Sequence, residues 1–244
     1  MADLLFADAE LAALYDAMNP CRDDYDFYRP MVMAAHSVLD VGCGTGSMLH
    51  EARDAGHTGR LCGLDPAPGM LAQARRRDDV EWVLGDLSSV AWDAEFDLIV
   101  MTGHAFQVLL GDDELRDALA SIHAALRPGG RFAFDTRNPS ARAWETWETE
   151  VRDAFDGSHG ERVRVSRKVT TPFNGQVVSF SHTFQSAVWD APRVSNSTLR
   201  FFSKAELDAE LARAGLAPDA QFGDWDKSPL SETSPEIITI ARRI

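Results

Sequence analysis

The sequence predicts an α/β protein, a parallel sheet with helices on both faces. Two observations carry that prediction. Val38-Leu39-Asp40-Val41 is a short apolar run with β-branched residues, and it breaks at Gly42, Gly44 and Gly46 before a pattern of helical period follows through Met48, Leu49, Ala52 and Ala55. Four more short apolar runs, at 60–65, 80–87, 96–101 and 131–135, then alternate with helical stretches, which is the rhythm of a parallel sheet. Glycines at the first turn let the main chain approach a ligand closely. The helix behind them points free N–H groups and a positive dipole end at the same place.

Taken in order, residues 3–18 carry Leu4, Leu5, Ala9, Leu11, Ala12, Leu14 and Tyr15 at helical spacing, and Asn19-Pro20 ends that helix. The acidic run Asp23-Asp24-Tyr25-Asp26 opens a second helix through Phe27, Tyr28, Met31 and Met33. After the glycine turn and its helix, the run at 60–65 ends in Asp65, and Pro66-Ala67-Pro68-Gly69-Met70 starts the next helix with prolines suited to a first turn. Asp65 lies 19 residues beyond Gly46, where a second strand tip can offer its carboxylate to both hydroxyls of a ribose. The third strand ends in Gly85-Asp86-Leu87. Phe96–Met101 is nearly all apolar, as a central parallel strand should be, and runs into Thr102-Gly103-His104-Ala105-Phe106. A helix opened by Asp112-Asp113-Glu114 closes at Arg127-Pro128-Gly129-Gly130, and Arg131–Asp135 is the fifth strand.

Residues 139–200 break this rhythm. Arg162–Val165 and Gln176–Phe184 alternate with period two, and Asn174-Gly175 between them is a tight-turn signal, so the segment reads as inserted antiparallel strands that Trp144, Trp147 and Trp189 help to pack. Ser203 and Glu206 form a capping box for a last helix, and two final strands fit near 217–223 and 236–241. The chain therefore divides into an N-terminal helical segment (1–36), a main domain (37–138 and 201–244) and an inserted β subdomain (139–200).

Bulk properties narrow the function. The chain has 244 residues, 45% of them hydrophobic and 25% charged, which fits one globular domain with an insertion. A formal net charge of −14 repels phosphate backbones and anionic bilayers, so neither a nucleic acid nor a membrane is the expected partner. The N-terminus is acidic and lacks the apolar core of a signal peptide, and no run approaches the roughly 20 apolar residues that span a bilayer. Three cysteines (Cys21, Cys43 and Cys62) form no close pairs, and the seven histidines show no ligand spacing. The expectation is a cytoplasmic protein with free thiols and no metal.

The order of motifs resembles the class I S-adenosylmethionine (SAM)-dependent methyltransferases: Asp40-x-Gly42-x-Gly44-x-Gly46, Asp65, Gly85-Asp86-Leu87, the apolar strand into 102–107 and Pro128-Gly129-Gly130. The resemblance covers residues 37–136 well; the C-terminal part is more loosely similar to bacterial small-molecule enzymes such as amino-sugar N-methyltransferases. It implies a Rossmann-like seven-stranded sheet of order 3-2-1-4-5-7-6 with strand 7 antiparallel. It also implies SAM as cofactor. Gly42, Cys43, Gly44 and Thr45 would surround its methionine part, with Asp40 orienting the loop. Asp65 and Pro66 would take the ribose, Met70 would pack by the adenosine, and Asp86 and Leu87 would hold adenine. Met101, Thr102 and Gly103 would lie beside the sulfonium. The N-terminal helices would serve as a lid, with Tyr15, Tyr28 and Arg29 as substrate contacts, and Phe106, Arg137 and Trp225 would complete the substrate pocket.

Methyl transfer is an in-line displacement that gains most from alignment and exclusion of water. A base is needed only where the acceptor holds a proton at working pH. His104, at the mouth of the fourth strand, is the candidate, since an unperturbed imidazole titrates near neutrality. The Asn/Asp-Pro-Pro-Tyr/Phe signature of base-modifying amine methyltransferases is missing after strand 4, and the only Pro-Cys, Pro20-Cys21, lies outside the region where a thiol nucleophile would sit. The expected activity is methyl transfer to N or O of a small molecule. Two other classes share these features: a non-catalytic SAM- or adenosine-binding subunit, and an NAD-dependent oxidoreductase, which the glycine spacing disfavours. The inserted sheet also offers a surface on which two copies could pair.

Overall fold

The computed structural model describes residues 3–20, 23–147, 152–155 (backbone) and 162–244; Cys21 lies outside them. The N-terminal segment contains three single-turn helices, α1 (Leu4–Ala7), α2 (Ala9–Ala12) and α3 (Tyr15–Met18), in place of the one continuous helix expected over 3–18. The break is local chemistry. The Asp8 carboxylate accepts from the N–H groups of Glu10 and Leu11, which starts α2 afresh and ends α1. Helix α4 (Asp23–Ala34) carries Asp23, Asp24 and Asp26 in its first turn, where the helix dipole favours them.

The main sheet alternates with helices: β1 (Ser37–Val41), α5 (Ser47–Asp54), β2 (Arg60–Asp65), α6 (Pro68–Ala74), β3 (Glu81–Leu84), β4 (Phe96–Met101), α7 (Asp112–Ala125) and β5 (Leu126–Arg137). After a second, antiparallel sheet of β6 (Arg152–Phe155), β7 (Arg162–Thr171), β8 (Val177–Ser186) and β9 (Arg193–Arg200), the chain returns through α8 (Lys204–Arg213), β10 (Leu216–Phe222) and β11 (Glu236–Arg243). The spatial order is β3-β2-β1-β4-β5-β11-β10, with β11 antiparallel to β5, which is the order 3-2-1-4-5-7-6 that the sequence implied. Every residue of β1 is buried, as expected for the middle of a parallel sheet.

Period two sorts the sheet's side chains onto two layers. Leu39, Ile99, Phe132 and Phe134 pack with α7 and α8 through Leu115, Ile122 and Leu207. Val38, Val100, Ala133 and Ile238 face α4 and α5 through Tyr28, Val32 and Leu49. The second sheet turns its inner face on the N-terminal turns, where Val163, Val165 and Phe184 meet Leu5, Leu11 and Leu14, and on Trp144 and Trp147, which meet Val178 and Phe180. The β7–β8 connection is a five-residue loop, 172–176, in which Asn174 Oδ1 accepts from the N–H groups of Gln176 and Val177 and Gly175 takes φ +102°. The expected capping box of α8 forms between Ser203 and Glu206.

Two consequences of this topology place the site. The parallel strands β1, β2, β4 and β5 all end at one edge, where open α/β sheets bind ligands. Because β11 runs the other way, its first residue, Glu236, pairs in register with Arg137, the last residue of β5, and so joins that edge.

Candidate active site

The glycine turn is held against β2: the N–H groups of Gly42 and Cys43 both donate to the Leu64 carbonyl, at 2.8 and 3.2 Å. Gly44 takes φ +57° and Gly103, at the mouth of β4, φ +63°. An added Cβ at either would meet nothing within 4 Å, so both leave open space at the sheet edge. The Asp65 carboxylate accepts from Gly44 N–H through Oδ2 and from Ala67 N–H through Oδ1, both at 2.8 Å, so it braces the turn. Burial raises its carboxyl while those two amides pull the other way.

Asp40 lies beneath the turn, 1% exposed, and its Oδ1 has no hydrogen-bond partner. Burial, then the neighbouring carboxylates of Asp65 and Asp24, push it up to about 8. A buried carboxyl without a donor is unfavourable in the free protein and suits a ligand that brings a cationic donor. SAM carries such a group, the ammonium of its methionine part, so the residues present fit this cofactor. A third contact ties the turn to the N-terminal segment: Asp16 Oδ1 accepts from Thr45 Oγ1 at 2.7 Å and from Ser47 Oγ at 3.3 Å.

A second cluster lies at the mouths of β4, β5 and β11. His104 takes a left-handed backbone (φ +66°), and its N–H donates to Asp135 Oδ2 at 2.7 Å. Its Nε2 lies 3.0 Å from Glu236 Oε2, with 17% of its side chain exposed to the cleft. Tyr28, fully buried on α4, donates its hydroxyl to Asp135 Oδ1 at 2.8 Å. Arg137 donates to Gln107 Oε1 at 3.1 Å and stands over the Trp147 ring at 5.3 Å, and its charge is felt by both Glu236 and His104.

The electrostatics of this cluster follow from burial. Burial and then Arg137 depress His104 to about 3, and burial raises Glu236 to about 8 against the pull of Arg137. Both shifts favour an uncharged pair, a protonated Glu236 carboxyl donating to a neutral imidazole. Burial raises Asp135 to about 6, which leaves it ionised at neutral pH. An imidazole this depressed is a poor proton acceptor, which corrects the expectation of a His104 base; the raised Glu236 carboxyl is the better one.

The structure separates the other expected site residues. Phe106 is not a pocket wall: it is 1% exposed and stacks on Phe134 with ring centroids 4.3 Å apart. Arg29 is not there either, because it points out from α4 to Asp26 and Glu51 at 3.0 and 3.5 Å. Met70 is buried with Ala12 and Ala67 under the N-terminal turns, and a Cβ on its neighbour Gly69 would collide with the Phe6, Ala7 and Asp8 carbonyls. Leu87 belongs to the core and Pro66 is exposed. Asp86 Oδ1 accepts from Ser88 and Ser89, which lowers its carboxyl. Cys43 is buried and its thiol is pushed up, unlike a nucleophile. Trp225 packs on Phe27 and Tyr28 and so supports the wall that carries the Tyr28 hydroxyl. Met101 turns its side chain into the core at the end of β4, the Thr102 carbonyl accepts from Ala105 N–H, and Tyr15 packs edge-to-face on Phe6 and is felt by Arg137. Sequence reasoning missed Asp135, Glu236, Asp16 and Gln107. For Asp135 a signal was present, an acid closing an apolar strand as Asp65 closes β2.

Comparison with known proteins identifies the family and the fold. Residues 38–130 match a family described as a methyltransferase domain. The chain is 33% identical over 221 residues to the cypemycin N-terminal methyltransferase of a Streptomyces species, covering 88% of this chain and 86% of that protein. Among solved structures, the SAM-bound amino pentose methyltransferase CalS10 from Micromonospora echinaspora is 26% identical with a TM-score of 0.65, covering 95% and 92% of the two chains. The methyltransferase CcbJ from Streptomyces caelestis has a TM-score of 0.72 at 22% identity, covering 91% and 88%.

Proposed function

The chain belongs to the class I SAM-dependent methyltransferases, and from that premise we propose that it N-methylates a small molecule bearing an amine, in the cytoplasm. SAM supplies an electrophilic methyl group on a sulfonium. Asp40 accepts from the ammonium of the cofactor's methionine part, Gly44 and Gly103 leave room for it, and Asp65 and Asp86 take the ribose and adenine. The N-terminal segment acts as a lid, latched to the glycine turn by Asp16.

The observation that carries the choice of nitrogen is the buried cluster of Glu236, His104 and Asp135 at the mouth of β4. An acceptor amine enters as an ammonium and must lose a proton before its lone pair can attack. Glu236, as its carboxylate, takes that proton, because a carboxyl raised to about 8 is closer in basicity to an amine than an ordinary one. The resulting carboxylic acid donates to the neutral imidazole of His104, the arrangement the free protein holds below about pH 8. Neutral His104 does not repel the ammonium, and ionised Asp135 attracts it. The N-terminal and amino pentose methyltransferases among the relatives, each named for an amine-bearing substrate, favour the same reading.

The test is transfer from SAM to amines, with alcohols and carboxylic acids of the same skeleton alongside. Methylated amine is the expected product; methyl ethers or esters alone would overturn the choice of nitrogen.

A further inference from the structure

Antiparallel pairing of β5 with β11 sets Arg137 directly opposite Glu236 at the sheet edge. The two do not form an ion pair. Among the described residues no carboxylate oxygen comes within 4.0 Å of the Arg137 guanidinium, and Glu236 and Asp135 act on it only from farther off. This is a departure in a chain of 38 acidic against 24 basic residues, where Arg60, Arg77, Arg193 and Arg200 all hold carboxylates.

The guanidinium is nonetheless held in place. Gln107, fully buried in the single turn Ala105–Val108, donates through Nε2 to the Arg200 carbonyl at 2.8 Å, which fixes the direction of its amide. Its Oε1 then accepts from Arg137 Nη1 at 3.1 Å and from the Arg137 main-chain N–H at 3.3 Å. The Trp147 ring lies 5.3 Å from the same guanidinium. Arg137 is half-buried, and Gln107 takes one of its five side-chain N–H donors, so most of the fork is left for a ligand or for water. The Glu236–His104 pair beside it is uncharged below about pH 8, and both oxygens of Asp135 are engaged by Tyr28 and His104. A fixed cation in a cleft without a counter-ion suits a ligand that brings an anion. An ammonium moving toward Glu236 also meets the repulsion of Arg137.

We infer that Arg137 receives a carboxylate carried by the acceptor, so that the acceptor is a small amino acid with its amine at Glu236 and its carboxylate on the guanidinium. The inference rests on the amine reading above. Guanidinium and carboxylate are planar forks that pair through two parallel hydrogen bonds. One bound carboxylate supplies the missing counter-ion and cancels the repulsion on the ammonium. Opposite residues on antiparallel strands hold their Cβ atoms about 4.5–5.5 Å apart, so one short molecule reaches both side chains. The other source of a carboxylate is SAM itself, but its methionine part belongs at the turn after β1, and β4 separates β1 from β5.

The test measures binding of alanine, 3-aminopropanoate and 4-aminobutanoate, each beside its primary amide, to the protein loaded with S-adenosylhomocysteine at neutral pH. At least one acid should bind about 10- to 100-fold more tightly than its amide, the range for a hydrogen bond to a charged group. Arg137→Met removes the charge and should erase that preference while affinity for S-adenosylhomocysteine stays unchanged. Arg137→Lys keeps the charge without the fork and should show a smaller preference, which covers the case in which Arg137→Met does not fold. Equal affinities for acid and amide, a preference that survives both substitutions in full, or no binding of any acid would overturn the inference. Lost affinity for S-adenosylhomocysteine in either variant would assign Arg137 to the cofactor's carboxylate and overturn it too. If acids are preferred but no amine is methylated from SAM, the carboxylate site stands and the amine reading fails. If amines are methylated without regard to a carboxylate, the amine reading stands and the carboxylate site fails.

Discussion

Glu236 Oε2 and His104 Nε2 lie 3.0 Å apart although 132 residues separate them in sequence. They meet because β11 enters the sheet antiparallel to β5 and delivers its first residue to the edge where β4 ends. Glu236→Gln keeps the shape of the side chain and removes its capacity to take a proton. It should lower kcat on an amine by about 10²- to 10⁴-fold, the usual share of general acid–base catalysis, with SAM affinity retained. In the unsubstituted enzyme kcat should rise as pH passes through about 8, because the carboxylate is the form above that value. Dividing the profile by that of Glu236→Gln cancels titration of the amine itself. An unchanged kcat in the variant would remove Glu236 from the reaction.

Asp40 links pH to stability. Its carboxyl is raised in the folded state to about 8 from 3.8, so the folded protein holds a proton there that the unfolded chain has released. Its contribution is fully present below about pH 4 and is lost as pH rises through about 8. In the SAM-free protein, Asp40→Asn should remove a decline of about 1.4 kcal/mol per pH unit between pH 5 and 7, measured by urea unfolding. The same change should weaken SAM binding about tenfold, through loss of a charged hydrogen bond.

Gly44 and Gly46 separate binding from folding. Both hold left-handed backbone, so alanine at either costs about 1–2 kcal/mol. At Gly46 the new Cβ also meets the Trp82 ring at 2.4 Å, which adds about 1–3 kcal/mol of overpacking. Gly44→Ala should therefore lose about 1–2 kcal/mol of stability and much SAM affinity, because its methyl enters the cofactor cradle. Gly46→Ala should show the larger fall in thermal midpoint.

Asp16 reaches from the N-terminal segment to Thr45 and Ser47. Asp16→Ala leaves the Thr45–Ser47 hydroxyl pair intact and removes the tie across to the N-terminal segment. Dissociation of S-adenosylhomocysteine, followed by stopped flow, should accelerate about three- to tenfold, the net worth of one hydrogen bond. No change would separate the segment from cofactor retention.

What the sequence disclosed and what it hid have physical reasons. Val38–Val41, Phe96–Met101 and the glycine spacing are local patterns, and local patterns set which strands form and where the cofactor turn lies. The strand order was legible only through the resemblance to a known family, since period and spacing do not order strands. The split of residues 3–18 depends on one side chain, Asp8, folding back on its own backbone, which periodicity does not register. Phe106 and Arg29 were misplaced because position at a strand mouth or on a helix does not say which way a side chain turns. Glu236 and Asp135 were invisible as a pair, because only an antiparallel last strand brings them together.

The most direct test of the account is a crystal structure with S-adenosylhomocysteine bound. Its methionine part should lie over Gly42–Gly44 with the amino group toward Asp40 Oδ1, and its sulfur should face the cleft that His104 and Glu236 border. A sulfur turned away from that pair, or an amino group far from Asp40, would contradict it.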